Sequence, residues 1–268
     1  MSLDADVVIV GAGPVGLVIA LMIARQGISV TVLERFSEVI QSPRAMAYGP
    51  AAVVELERAG IAAECRQIGM EESDYHVQIR WITRDNKKIA GYERPSGVNM
   101  GGYAPVLCGQ HKVADIILRH LSEYPHAKIL WDHEVTEIRD QGDKGATAVC
   151  DTKDGGKAEI TGRYLVGSDG ARSTVRKLIG CTFDGFTYDK RVVATNVYYP
   201  FRDYGFTLAQ FIVDPEDFAL VPPPTPSCIS VFKWLRLDRE MFPRRDVSLL
   251  LRRRRLPDIR TTPRPSGL

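Results

Sequence analysis

The chain has 268 residues, 44% hydrophobic and 25% charged, with a formal net charge of +2; this is an ordinary globular composition with room for one or two domains. The small net charge hides a division, because residues 233–268 carry a balance of +7 while the rest sits near −5, and half of the 16 prolines fall after residue 221. Five cysteines (Cys65, Cys108, Cys150, Cys181, Cys228) show no CxxC pair and no histidine at ligand spacing, which excludes a zinc site or a disulfide framework and reads as isolated buried thiols in a reduced, cytoplasmic compartment.

Residues 7–24, VVIVGAGPVGLVIALMIA, contain no charged side chain, and by length alone they would be a candidate membrane span. Their punctuation argues otherwise. Val7–Val10 is a β-branched burst that favours a strand. Gly11, Gly13 and Pro14 then make a turn, and from Pro14 the apolar spacing Leu17, Ala20, Leu21, Ala24 is helical, with proline suited to the first turn. Gly27 is the stop, and ISVTVL (28–33) is a second strand ending at Glu34. The segment predicts a βαβ unit. No basic stretch precedes the run, which follows Asp4 and Asp6, so a signal peptide is not expected and Met1 reads as the start of a soluble chain.

Further along, residues 45–68 read as helix around PAAVVELERAGI, with Gly60 as a stop. Residues 75–92 alternate around an Asp-Asn turn, as a hairpin does. An amphipathic helix is expected over 111–121, then short strands over 129–165 with turns at QGDKG and KDGG. The strand ending in YLVGSDG leads into a helix over Ser173–Ile179, and residues 185–221 are aromatic and β-rich.

In the Gly11-Ala-Gly13-Pro-Val-Gly16 motif each glycine has a steric purpose. Gly11 permits the tight turn, Gly13 lets a pyrophosphate approach the backbone, and Gly16 allows the helix to pack close to the sheet. The helix N-terminus attracts phosphate through free N–H groups and its dipole. Glu34, at the end of the second strand, is placed for a ribose diol. The blander alternatives are a glycine-rich turn of an unrelated α/β protein, and a solvated Glu34 paired with Arg35. Asp169 and Gly170 lie at a strand's carboxyl end, where open α/β sheets bind ligands; SDG is equally a turn in which Asp169 bonds its own backbone. Both readings stand at this point.

GAGPVGL…LER, then SPRA at 42–45, GQ at 109–110 and GSDGARSTVR at 167–176 resemble, in this order, the para-hydroxybenzoate-hydroxylase-like, single-component FAD monooxygenases, the flavoprotein aromatic hydroxylases. The resemblance covers roughly residues 5–220. It implies an α/β fold: a Rossmann-like FAD/NAD(P)-binding domain, with a parallel sheet, helices and a β-meander, plus an inserted, mostly-β substrate domain. It implies that Gly11, Gly13, Gly16 and Glu34, with Arg35 beside it, hold the ADP half of FAD. Arg44 would reach the FAD phosphates, Gln110 would contact the cofactor, and Asp169 and Gly170 would lie near the pyrophosphate. The corresponding domains are 1–74 with 108–184 for FAD, 75–107 with 185–232 for an incomplete substrate sheet, and 233–268 as a basic, disordered tail. Tyr92, Tyr103, Tyr198 and Tyr204 are candidates for lining the substrate pocket, or for the sheet core.

The resemblance implies hydroxylation of an aromatic or similarly electron-rich small molecule with NAD(P)H and O₂, FAD carrying the redox chemistry, with no metal, nucleic acid or membrane partner. No catalytic base is named. The pattern breaks after Val221: the GDAAH-like motif expected later is missing from the sequence, and the tail shows no helix or strand periodicity. An altered reading frame or splice, a basic extension that binds anionic surfaces, and an ordinary disordered terminus are the three readings of it. The expected consequence is weak or no turnover. A flavin-binding remnant and a NAD-dependent dehydrogenase are the alternatives to a hydroxylase.

Overall fold

Residues Ala5–Val10 form β1, Pro14–Ala24 form α1 and Val30–Leu33 form β2, so the apolar opening run is a strand, a turn and an eleven-residue helix. Among the described residues no helix is long and apolar enough to cross a membrane. The computed structural model describes residues 3–41, 47–69, 78–93, 105–187, 191–197, 209–215, 218–221 and 229–235. The chain divides into two compact units, Met1–Glu71 with Asn99–Gly185, and Glu72–Val98 with Phe186–Leu268.

The first unit continues with a two-residue strand β3 (Ala47–Tyr48), helices α2 (Pro50–Arg58) and α3 (Ala62–Ile68). The helical stretch expected over 45–68 is broken in two by Gly60, whose φ of 68° no ordinary residue adopts cheaply. After the second unit's β4 (Gln78–Ile82) and β5 (Lys88–Glu93), the chain returns with β6 (Val106–Leu107), α4 (Gln110–Leu121), β7 (Ala127–Leu130), β8 (His133–Asp140), β9 (Ala146–Thr152), β10 (Lys157–Gly167) and α5 (Thr174–Leu178). Six strands make one sheet in the order β7-β2-β1-β10-β9-β8. Its first three pairings are parallel, and the last two form an antiparallel meander. This is a Rossmann-like α/β arrangement.

β1 is buried on both faces, as a central parallel strand should be. Val7 and Ile9 point into a core shared with Leu17, Leu21, Val53, Val113 and Ile117 from the helices and Ile61 from the α2–α3 turn. Val8 and Val10 point the other way, toward Leu33, Val135, Ala148, Cys150 and Val175. Each fully buried aliphatic side chain contributes about 1.5–3 kcal/mol over its exposed state. Strand and helix directions alternate, so the N-termini of α1 and α4 both lie at the carboxyl edge of the parallel strands.

The second unit is a mostly antiparallel sheet. β11 (Arg191–Val197), β12 (Ala209–Ile212), β13 (Ala219–Val221) and β14 (Ile229–Leu235) join β4 and β5 in the order β11-β14-β13-β12-β4-β5. The β4–β5 hairpin turns through Asn86, at a φ of 69°. Trp81 stacks on Phe211 with ring centroids 5.2 Å apart. A further strand, β14, forms after Val221 although the sequence there shows no strand periodicity. ISVFKWL is rich in β-branched and aromatic residues and pairs with β11 along its whole length and with β13; the prolines at 222–224 and 226 obscured its start.

Candidate nucleotide site

The site is built where β1 and β10 end side by side. β1 leaves the sheet through Gly11, whose φ of 105° is open to glycine alone. Gly11 N–H donates to the Leu33 carbonyl at 2.8 Å. A Cβ on Gly11 would meet the Ser168 carbonyl oxygen at 2.8 Å and the Asp169 Cα at 3.0 Å. Gly16 is tighter still, since a Cβ there would lie 2.0 Å from the Gly11 carbonyl oxygen and 2.5 Å from Ser168 Oγ. Gly16 thus lets α1 lie close against the ends of β1 and β10.

Gly13 differs from both. Its backbone is extended, at φ −69° and ψ 174°, and a Cβ there would meet nothing within 4 Å. Gly13 is the N-cap of α1 and offers no side-chain cap. Among the described residues the N–H groups of Gly13, Val15 and Gly16 have no acceptor, so three donors and the positive end of the α1 dipole stand together at Gly13, which carries no side chain and beside which there is open space. Val15 is 62% exposed.

Glu34 closes the loop from the β2 side. One carboxylate oxygen accepts the Ala12 N–H at 2.8 Å and the other accepts the Phe36 N–H at 3.1 Å. Each oxygen keeps a further lone pair for a ribose hydroxyl. Arg35 is not paired with Glu34 in an ion pair; its guanidinium lies 4.6 Å from the Phe36 ring centroid. The β7–β8 turn fastens the same segment, with Asp132 N–H donating to the Phe36 carbonyl at 3.1 Å and His133 N–H to the Glu34 carbonyl at 2.8 Å.

Asp169 is committed to the following helix. Its carboxylate accepts the Ser173 hydroxyl at 2.5 Å and the N–H groups of Thr174 and Val175 at 2.5 and 3.1 Å. Ser173 Oγ in turn accepts the Arg176 N–H at 2.9 Å, so α5 is doubly capped. Gly170 follows at a φ of 86° in open space. Gln110 is the first residue of α4, on the same carboxyl edge as Gly11. Arg44, Tyr103, Tyr198 and Tyr204 lie outside the described residues; Tyr92 is 56% exposed on β5.

Ser168 escaped the sequence reading, which took the motif's DG pair and passed over the residue before it. Its hydroxyl donates to the carbonyls of Val10 at 2.9 Å and Gly11 at 3.1 Å. The only sequence signal was a polar residue at the end of an apolar strand. The cysteines also need correction. Cys65 on α3 and Cys108 after β6 are buried neighbours, not isolated thiols; a hydrogen bond from the Cys65 thiol to the Cys108 sulfur, and then burial, push the Cys65 thiol up. Cys150 is buried and pushed up to about 11 by desolvation, with Asp151 adding to it. Cys181 is exposed, and Cys228 lies outside the described residues.

Comparison with known proteins bears on these residues together. The FAD binding domain family matches residues 4–232, so the likeness runs through β13 and most of β14 and does not stop at Val221. The para-nitrophenol 4-monooxygenase of Pseudomonas sp. (strain WBC-3) is 40% identical over 217 residues, 80% of this chain and 52% of the relative. The 6-hydroxy-3-succinoylpyridine 3-monooxygenase HspB of Pseudomonas putida is 31% identical over 220 residues, 80% of this chain and 53% of the relative. The crystal structure of p-nitrophenol 4-monooxygenase PnpA from Pseudomonas putida DLL-E4 superposes with a TM-score of 0.81 at 35% identity, over 94% of this chain and 62% of that one. This chain spans about half the length of the curated relatives it matches.

Proposed function

The chain belongs to the FAD binding domain family, and on that premise we propose that its first unit holds the ADP half of FAD for an NAD(P)H- and O₂-dependent monooxygenase acting on a phenol or similar electron-rich ring. The observation that carries this reading is the junction at Gly11–Gly16. Among the described residues three N–H groups there have no acceptor, Gly13 leaves open space beside them, and a carboxylate stands at the end of the next strand. That donor set suits a pyrophosphate and a ribose diol.

In this proposal the α1 N-terminus neutralises the pyrophosphate charge, Glu34 accepts ribose hydroxyls, and Gln110 and Gly170 approach the cofactor from the same sheet edge. Arg35 and Arg44 add positive charge for the phosphates. Asp169 contributes indirectly, by fixing α5 and the Gly170 turn. FAD, when bound, supplies the redox chemistry that carries electrons from NAD(P)H to O₂. The sheet of the second unit is the proposed aromatic-binding half, and no side chain is assigned as a base. The ring class follows the names of the relatives, one a nitrophenol and one a hydroxypyridine monooxygenase. Residues 1–268 contain no GDAAH-like motif, so the 268-residue chain is expected to bind FAD with weak or no turnover.

The test is the visible spectrum of the purified chain before and after adding FAD. A flavin spectrum that survives desalting supports the reading, and NAD(P)H oxidation stimulated by para-nitrophenol then measures turnover. A chain that stays colourless with excess FAD refutes it.

A further inference from the structure

We propose that Ser168 is a positioning residue, which together with Glu34 clamps the Gly11–Ala12 peptide and thereby sets the direction of the phosphate-facing N–H groups. The inference rests on the FAD reading for its ligand, and on the hydrogen bonds of Ser168 and Glu34 for the clamp itself.

A peptide unit is a rigid plane, so fixing its oxygen and its N–H fixes its orientation. The plane between Gly11 and Ala12 is held at both ends. Its carbonyl oxygen accepts from Ser168 Oγ at 3.1 Å, and its N–H donates to Glu34 at 2.8 Å. The two side chains come from different strands, Ser168 from the end of β10 and Glu34 from the end of β2, on either side of β1. Ser168 is itself anchored, since its N–H donates to the Val10 carbonyl at 2.8 Å and its hydroxyl proton is shared with that same carbonyl. The Gly11 oxygen lies where a Cβ on Gly16 would stand, 2.0 Å from it, so α1 approaches this peptide as closely as only glycine permits. Gly11, being glycine, has no conformational preference that would hold the plane by itself. The orientation of the donors at Gly13, Val15 and Gly16 thus depends on one hydroxyl and one carboxylate.

The experiment compares the wild-type chain with Ser168→Ala, Glu34→Gln, the double variant, and Ser122→Ala. Ser122 donates a comparable bond, 2.6 Å to the Arg119 carbonyl, at the far end of α4, and serves as the control. Two quantities are read. Amide hydrogen exchange over residues 7–16 is measured without ligand, and dissociation constants are measured for FAD, ADP and riboflavin. Ser168→Ala is expected to speed exchange in 7–16, and to weaken FAD and ADP alike by about tenfold while leaving riboflavin unchanged. The double variant should lose less than the product of the single losses, because both act on one peptide. A merely structural serine would lower the melting temperature without separating ADP from riboflavin. Unchanged exchange over 7–16, or ADP affinity equal to that of the control, overturns the clamp. If the wild-type chain binds neither FAD nor ADP, the functional reading fails, and the exchange data alone decide the clamp.

Discussion

Two glycines of one motif, Gly13 and Gly16, three residues apart, are expected to respond oppositely to the same added methyl group. In Gly16→Ala the new Cβ would stand 2.0 Å from the Gly11 carbonyl oxygen, against an ordinary contact of 3.4 Å or more. Backbone on one side or the other must therefore give by more than 1 Å, and the oxygen that has to move is held by Ser168. Overpacking of this kind costs about 1–3 kcal/mol, and loss of the Ser168 bond adds about 1 kcal/mol. The better helix propensity of alanine returns at most about 1 kcal/mol. A net loss of about 1–3 kcal/mol is expected. In Gly13→Ala the Cβ meets nothing and the backbone already has a φ that alanine adopts. Replacing glycine at an N-cap costs up to about 1 kcal/mol, offset by the reduced freedom of the unfolded chain. Stability should change by less than about 0.5 kcal/mol, yet the methyl group enters the open space assigned to the pyrophosphate, and FAD affinity should fall at least tenfold. Urea unfolding followed by far-ultraviolet circular dichroism, with FAD titration on the same samples, separates the two. Equal destabilisation by both substitutions, or a neutral Gly16→Ala, would refute the reasoning.

Asp169→Ala removes three acceptor contacts at the start of α5 and should cost about 1–2 kcal/mol, read as a lower urea midpoint; an unchanged midpoint would show that the capping is idle. Of the four described cysteines, Cys181 alone is exposed, so a thiol reagent should label it in the native chain while Cys65, Cys108 and Cys150 react only on unfolding, as peptide mass mapping would record. Asp85 is held down at about 2, chiefly by hydrogen bonds from Thr83 and Lys87. A depressed carboxylate stabilises above its unfolded value and loses that contribution as pH falls through its folded one, so the β4–β5 turn should loosen between about pH 4 and pH 2; Asp85→Asn should abolish that dependence in proton-exchange measurements. Cys150 runs the other way. Its thiol stays protonated up to about 11, so the folded chain binds a proton that the unfolded chain has released. Stability should fall as pH rises from about 9 toward that value, and Cys150→Ala should flatten the alkaline limb of a pH–stability curve.

What the sequence revealed was local. β1, α1 and β2 follow from a β-branched burst, two glycines, a proline and helical spacing, each acting within a few residues of itself. The β4–β5 hairpin and α4 were equally visible, because alternation and amphipathicity are short-range patterns. What stayed hidden depends on neighbours distant in sequence. Ser168 and Gly11 are 157 residues apart, and only the parallel pairing of β1 with β10 makes them adjacent. Cys65 and Cys108 become a pair because α3 packs against β6, a contact that no spacing rule encodes. β14 had a usable signal in ISVFKWL, but four prolines before it and the cationic run after it drew the reading toward a tail. The Asp169 turn left two readings open on sequence grounds, and the structure shows its carboxylate occupied by the α5 backbone.

β10 is eleven residues long and changes partner at its middle. Lys157–Gly162 pairs antiparallel with β9, and from Gly162 to Gly167 the strand runs parallel to β1. At about 3.3 Å per residue it spans about 33 Å, so the hairpin at 153–156 and the Ser168–Asp169 step belong to one rigid rod. Side chains on such a rod alternate faces, and a shift of one residue reverses every one of them. This divides the unit into regions of unequal tolerance to insertion and deletion. Turns such as 141–145 and 153–156 can gain or lose residues, because the strands on either side keep their own registers. A single residue added between Gly162 and Gly167 would turn the Ser168 hydroxyl away from Gly11. Length variation among relatives should therefore collect at the outer turns of the meander, and the stretch from 162 to 169 should keep its length even where its residues change.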